Sequence, residues 1–184
     1  MGETSWDADH RLIGQTDLPM TDEGSHSIAD AIRQFKPDSP ISLVLVSEEE
    51  AAVAVGKLLT GPETRVRTIP ELSNVGLGLW EGVLRADLEE RCPSAYGQWK
   101  EHPERITPPE GESFHDAQDR LISAIVKAMN KAKGTHPRIA IVLRPWAWAI
   151  VRCWRKNETL SEIWDQLDDT IMAETIEVIK SHLA

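Results

Sequence analysis

Residues 41–58 read ISLVLVSEEEAAVAVGKL. From Ile41 to Ser47 the run is apolar apart from its serines, the pattern of a strand covered on both faces. Three carboxylates follow, Glu48, Glu49 and Glu50, and then small and branched apolar residues up to the Gly61-Pro62 pair. Acids favour the positive end of a helix, and Gly-Pro stops one, so a helix is predicted between them. A buried strand that feeds straight into a helix is the unit of a layered α/β fold.

The same alternation runs outward in both directions. Ile28, Ala31, Ile32 and Phe35 recur at helical spacing, and Thr21 with the acids after it supplies a cap and a first turn. TRVRTI (64–69) is a short strand, and residues 84–104 read as two short helices broken at Pro93. The longest helix is predicted from Glu112 to Lys133, with Phe114, Ala117, Leu121, Ile125 and Met129 on one face. RIAIVL (138–143) is a second buried strand, WAWAIVRCW and LSEIWDQL are helical, and ETIEVIK (174–180) alternates as a final strand. Trp146 and Trp154, eight residues apart, share a face roughly, and Trp148 points elsewhere. The prediction is a three-layer α/β/α fold with a mostly parallel sheet, in a single domain over residues 1–184.

Composition narrows the function classes. The chain has 184 residues, a formal net charge of −10 and 41% hydrophobic residues. That charge argues against nucleic acid as a partner. Two cysteines, Cys92 and Cys153, form no disulfide framework, so a reducing, cytoplasmic setting is expected. No apolar run approaches the roughly 20 residues of a membrane span, so no membrane partner is expected. There is no Walker-type loop, no Gly-x-Gly-x-x-Gly after a strand, no Cys-x-x-Cys and no Gly-x-Ser-x-Gly. His and Cys are too scattered for a zinc site; no metal and no cofactor are expected.

Five segments carry a resemblance: GETSW (2–6), GQTDLPMTDEG (14–24), LSNVGLGLWEG (72–82), PPEGESFHDAQDR (108–120) and the strand RIAIVL. In this order and spacing they resemble the histidine phosphatase superfamily, which includes phosphoglycerate mutases and α-ribazole phosphatases. The resemblance implies a phosphoglycerate-mutase-like fold and a phospho-enzyme chemistry. A His attacks phosphorus, two Arg and a second His neutralise the oxygens, and a carboxylate protonates the leaving group.

Carried over residue by residue, that set is not here. The nucleophilic His position falls on Met1, before Gly2-Glu3-Thr4, and no residue stands at the preceding Arg position. The second Arg, four residues after Ser47, falls on Ala51; the general acid, six before Trp80, falls on Asn74. The second His falls on Arg144. None of His10, His26, His102, His115, His136 and His182 lies at a motif position.

Three readings stay open. The first is a catalytically inactive relative with a binding or scaffolding role, its candidate binding residues being Gly2, Glu3, Thr4, Glu71, Arg144 and Trp146. Its partner would be an unidentified protein or a small anion. The second is an enzyme remodelled in the same cleft, using Glu71, Asp7, His10 and Arg144. The third is a segment upstream of Met1 that restores the Arg-His pair. Arg144 is expected at the sheet's carboxyl edge, held by Glu3 or Glu71 or by an anion, and Trp146 either packs in the core or plugs the pocket. The resemblance further implies an apolar strand before Gly2 that this sequence lacks. The expected closure pairs 174–180 with 138–143, giving the order 65–69, 41–47, 138–143, 174–180; a homodimer donating a strand is the alternative.

Overall fold

In a computed structural model of the chain, residues 2–35, 40–132 and 137–167 are described. The elements in chain order are α1 (Ser5–Ala8), α2 (Asp22–Gln34), β1 (Leu43–Val46), α3 (Glu50–Leu58), β2 (Arg65–Thr68), α4 (Arg85–Arg91), α5 (Pro93–Glu101), α6 (Phe114–Lys131), β3 (Ile139–Ile141), α7 (Pro145–Lys156) and α8 (Ile163–Gln166). The described strands form a parallel sheet in the order β2-β1-β3. Leu43 pairs with Arg65 on one side and with Ile139 on the other. That order matches the first three places of the expected one. The fourth, residues 174–180, lies outside the described residues, as does Met1.

Core residues lie on both faces of the sheet, as a layered fold demands. Val44 and Val46 join Ile28, Ala52 and Val55 of α2 and α3 in one cluster. Leu45 points the other way, into the larger cluster built on α5, α6 and α7. The alternation of a strand sends successive side chains to opposite faces, and here both faces are covered.

Local signals set the helix ends. Thr21 caps α2 by accepting from the Gly24 N–H at 2.9 Å. Ser113 caps α6 in the same way, accepting from Asp116 N–H at 3.1 Å. The helix therefore starts at Phe114 rather than at Glu112, because the Ser113 hydroxyl competes for the first-turn donor. Ala124 and Ala128 are buried beside Phe114, Ala117, Leu121 and Ile125, while Met129 is half-buried.

Two backbone segments interlock beside the sheet. Leu79 N–H donates to Pro109 O at 2.9 Å and Glu112 N–H to Gly76 O at 2.8 Å. Gly78 has φ +52°, and a Cβ there would stand 2.2 Å from Pro109 O, so no other residue fits. Gly24 is the second such place: a Cβ would meet Glu3 O at 2.3 Å, which lets the chain's first residues lie flat on α2.

Candidate functional site

β1 and β3 both end at one edge of the sheet, the edge where ligands bind in parallel α/β folds. Ser47 follows β1 and is buried, with its hydroxyl bonded to the carboxylate of Glu49, also buried. The other Glu49 oxygen accepts from Asn74 N–H at 3.3 Å. Glu49 is therefore tied into the loop instead of serving the dipole of α3, and its side chain makes no cap. The first N–H of α3, that of Glu50, goes to Asp17 Oδ1 at 2.8 Å. Ala51, in the first turn, is buried and apolar.

Asn74 is buried and nearly saturated. Its amide nitrogen donates to Ile13 O at 3.0 Å and Gly14 O at 3.2 Å, and its Oδ1 accepts from Ala147 N–H at 3.2 Å. One side chain thus ties the first loop to the first turn of α7. Arg120 holds the segment of Asn74 itself, residues 71–74, from α6. It donates to Glu71 O (2.7 Å), Ser73 O (3.1 Å) and Asn74 O (3.1 Å), and takes both oxygens of Glu112 at 2.8 and 2.7 Å.

Arg144, the residue before α7, is 2% exposed. Its Nη1 lies 3.9 Å from Asp7 Oδ2, too long for a hydrogen bond. Its Nε and Nη2 have no hydrogen-bond partner among the described residues. Asp7 is itself held: the same Oδ2 accepts from Thr4 N–H and Thr4 Oγ1, both at 2.7 Å. The acid beside Arg144 is thus Asp7, not Glu3 or Glu71. Glu3 is exposed, because the pairing of Thr4 with Met20 turns it outward. Glu71 is exposed too and lines a separate small depression with Arg67 and Lys127, so it is not brought together with Asp7, His10 and Arg144. His10 is exposed, at φ +57°.

The open cleft at this edge, about 360 Å³, is lined by Gln15, Asp17, Glu48, Glu49, Pro70 and Ser73. Three of these are carboxylic acids and none is a cation. Behind it, Glu81 clamps the first loop. Its carboxylate accepts from the N–H groups of Gln15 (2.9 Å), Thr16 (2.9 Å) and Leu77 (3.0 Å) and from the Thr16 hydroxyl. Burial pushes the Glu81 carboxyl up, but these four bonds outweigh it, and it titrates below its ordinary 4.5. Among the described residues no group of three His, Cys, Asp or Glu could hold a metal, and no helix is long and apolar enough to cross a membrane.

Trp146 packs in the core. Its ring lies 5.3 Å from Trp99, 5.4 Å from Phe114 and 5.1 Å from Trp164. It does not plug the cleft, and it does not share a face with Trp154, which is exposed. Eight helical steps of 100° leave a rotation of about 80°, enough to carry Trp154 to the surface.

The match to known families now has its geometry. A family model, histidine phosphatase superfamily (branch 1), matches residues 2–173. The chain belongs to the histidine phosphatase superfamily. This member is 28% identical over 138 residues to the metal-independent phosphoserine phosphatase of Arabidopsis thaliana, covering 72% of this chain and 57% of that protein. It is 26% identical to phosphoglycerate mutase-like protein 4 of the same plant, covering 77% of this chain and 62% of that one. It spans about three-fifths of the length of these relatives. Bacillus stearothermophilus YhfR superposes with a TM-score of 0.79 at 22% identity, over 89% of this chain and 80% of that one, which shows the fold.

Sequence reasoning missed how Asp17, Arg120 and Glu81 act in the superfamily member. Asp17 and Glu81 lie inside the quoted motifs, and Arg120 closes PPEGESFHDAQDR. Their presence was visible, but apart from Glu112 and Leu77 their partners lie 33 to 66 residues away.

Proposed function

We propose that this protein is a non-catalytic member of the histidine phosphatase superfamily that acts by binding, through a small anion or an unidentified protein partner. The observation that carries the reading is Asn74. It stands where the resemblance puts the general acid, and a carboxamide has no proton to give at neutral pH. Its amide hydrogens and its oxygen are engaged in cross-links. Ala51 offers no charge to phosphate, and the nearest helix N-terminus is filled by Asp17. These positions are internal, so the reading does not depend on where the chain begins.

The test is hydrolysis of an aryl phosphate by the purified protein, with a parallel search for acid-labile phosphohistidine. Loss of a concerted catalytic set costs on the order of 10⁶-fold in rate. The expected result is no turnover above buffer and no phosphohistidine. Turnover above about 1 s⁻¹, the low end of ordinary enzyme rates, overturns the reading.

A further inference from the structure

We infer that the open edge of β2 is a docking site for an acidic, extended segment of another protein, which adds to the sheet as a further strand. TRVRTI (64–69) alternates, so Arg65 and Arg67 project to one face of the sheet and Val66 and Thr68 to the other. This edge holds none of the residues that line the cleft, so its partner is independent of the binding reading above.

Among the described residues β2 is paired on one side only, with β1. Arg65 N–H donates to Ser42 O at 3.2 Å and Ile69 N–H to Val46 O at 2.8 Å. In a parallel pair, residues that bond to the neighbour alternate with residues that face away from it. The N–H and C=O groups of Val66 and Thr68 therefore point away from β1, and among the described residues they have no backbone partner. All four β2 residues are exposed, whereas Val44, Leu45 and Val46 of β1 are buried. A strand laid along this edge has room, and it meets two N–H and two C=O groups in register.

The side chains select the occupant. Arg65, Arg67 and Lys127 of α6 are exposed and form no ion pair among the described residues, in a chain of net charge −10. Arg67 and Lys127 share a depression with one acid, Glu71. On the other face Val66 is 41% exposed and lies against α3, where a Cβ at Gly56 would stand 3.7 Å from its Cγ1. An added strand thus meets cations on the α6 face and an apolar residue on the α3 face. Acids alternating with branched apolar residues match that pattern. A second copy does not, because antiparallel pairing of two β2 edges with their faces kept sets arginine opposite arginine.

The probe is an acetylated, amidated octapeptide of alternating Glu and Val, with a Lys and Val octapeptide as its counterpart. Each is titrated into the full chain at low ionic strength while amide hydrogen exchange is followed by NMR. With the acidic peptide at about ten times its Kd, the Val66 and Thr68 amides exchange about tenfold more slowly. Those of Arg65 and Arg67, already turned to β1, do not change. Val66→Pro removes the outward N–H at a place where a sheet edge tolerates proline, and weakens binding at least about tenfold. Arg65→Glu combined with Arg67→Glu weakens it about tenfold and turns the preference to the lysine peptide. Equal binding of the two peptides to the wild-type chain overturns the proposal, as does binding that leaves the Val66 and Thr68 amides unprotected. So does unchanged affinity in either variant, the double arginine variant deciding if the proline variant does not fold. A dimer in sedimentation with both amides protected before peptide is added overturns it in favour of a second copy. None of these outcomes touches phosphate hydrolysis, so the non-catalytic reading stands or falls on its own assay.

Discussion

Two arginine-and-carboxylate regions, one half-buried and one around a buried guanidinium, sit on either side of residue 74, and they are built oppositely. On one side Arg120 meets both oxygens of Glu112 and three backbone carbonyls, and Glu81 meets three N–H groups and a hydroxyl. On the other side Arg144 lies 3.9 Å from one carboxylate and, among the described residues, leaves two donors unmet. A saturated network stiffens a fold, because every partner removed strands another. An unsaturated buried charge costs stability. The motif pieces GLWEG and PPEGES, which hold Glu81 and Glu112, belong to the saturated side. Of the replaced positions, Arg144 belongs to the unsaturated side and Asn74 lies buried between the two, outside the lining of the cleft.

The largest effect should follow Arg120→Ala. It strands the carboxylate of Glu112 and three carbonyls in a half-buried site, at about 2–4 kcal/mol. Urea unfolding followed by tryptophan fluorescence measures it. A cost under about 1 kcal/mol would show that water replaces the side chain, and the saturated side would lose its meaning.

Glu81 gives an intermediate effect with a pH signature. Each of its oxygens accepts two hydrogen bonds, and Glu81→Gln turns an NH₂ against donors, at about 1–2 kcal/mol. The folded carboxyl titrates below its ordinary 4.5. Its contribution is therefore complete above that value and is lost as pH falls through the folded pKa. The wild-type chain should lose more stability than Glu81→Gln on acidification below pH 4.5. Parallel losses in both would mean that Glu81 is not linked to folding.

Much of this contrast was readable in the sequence at the level of elements. Leu43–Val46 and Ile139–Ile141 are strands because nothing polar interrupts them, Thr21 caps because its hydroxyl meets Gly24 N–H, and Pro93 opens a second helix. The fold class followed from that order. The pairing of side chains did not. Asp17, and not the three glutamates beside it, caps α3, and Asp7, and not Glu3, faces Arg144. Local propensity sees neighbours along the chain, and these partners come together only when the first loop folds back over the sheet. An aromatic at a helix start suits both core and pocket, so the sequence alone does not place Trp146; its ring contacts place it in the core.

The smallest expected effect is the most diagnostic of the comparison. Arg144→Met replaces a buried guanidinium by an unbranched apolar chain of similar length. What is lost is one long ion pair, since among the described residues neither Nε nor Nη2 has a hydrogen-bond partner to strand. What is gained is the desolvation of a charge that no longer has to be buried. Asp7 keeps its two bonds from Thr4 and is one-third exposed, so it tolerates the loss of its cation. Exchanges of this kind are commonly neutral or stabilising. In buffer without carboxylates or phosphate, the urea midpoint should stay level or rise, by up to about 1–2 kcal/mol. The sign then opposes that of Arg120→Ala, although both remove a buried or half-buried arginine. A loss above about 2 kcal/mol would mean that Arg144 is an architectural residue like Arg120, and the two sides of Asn74 would no longer differ in kind.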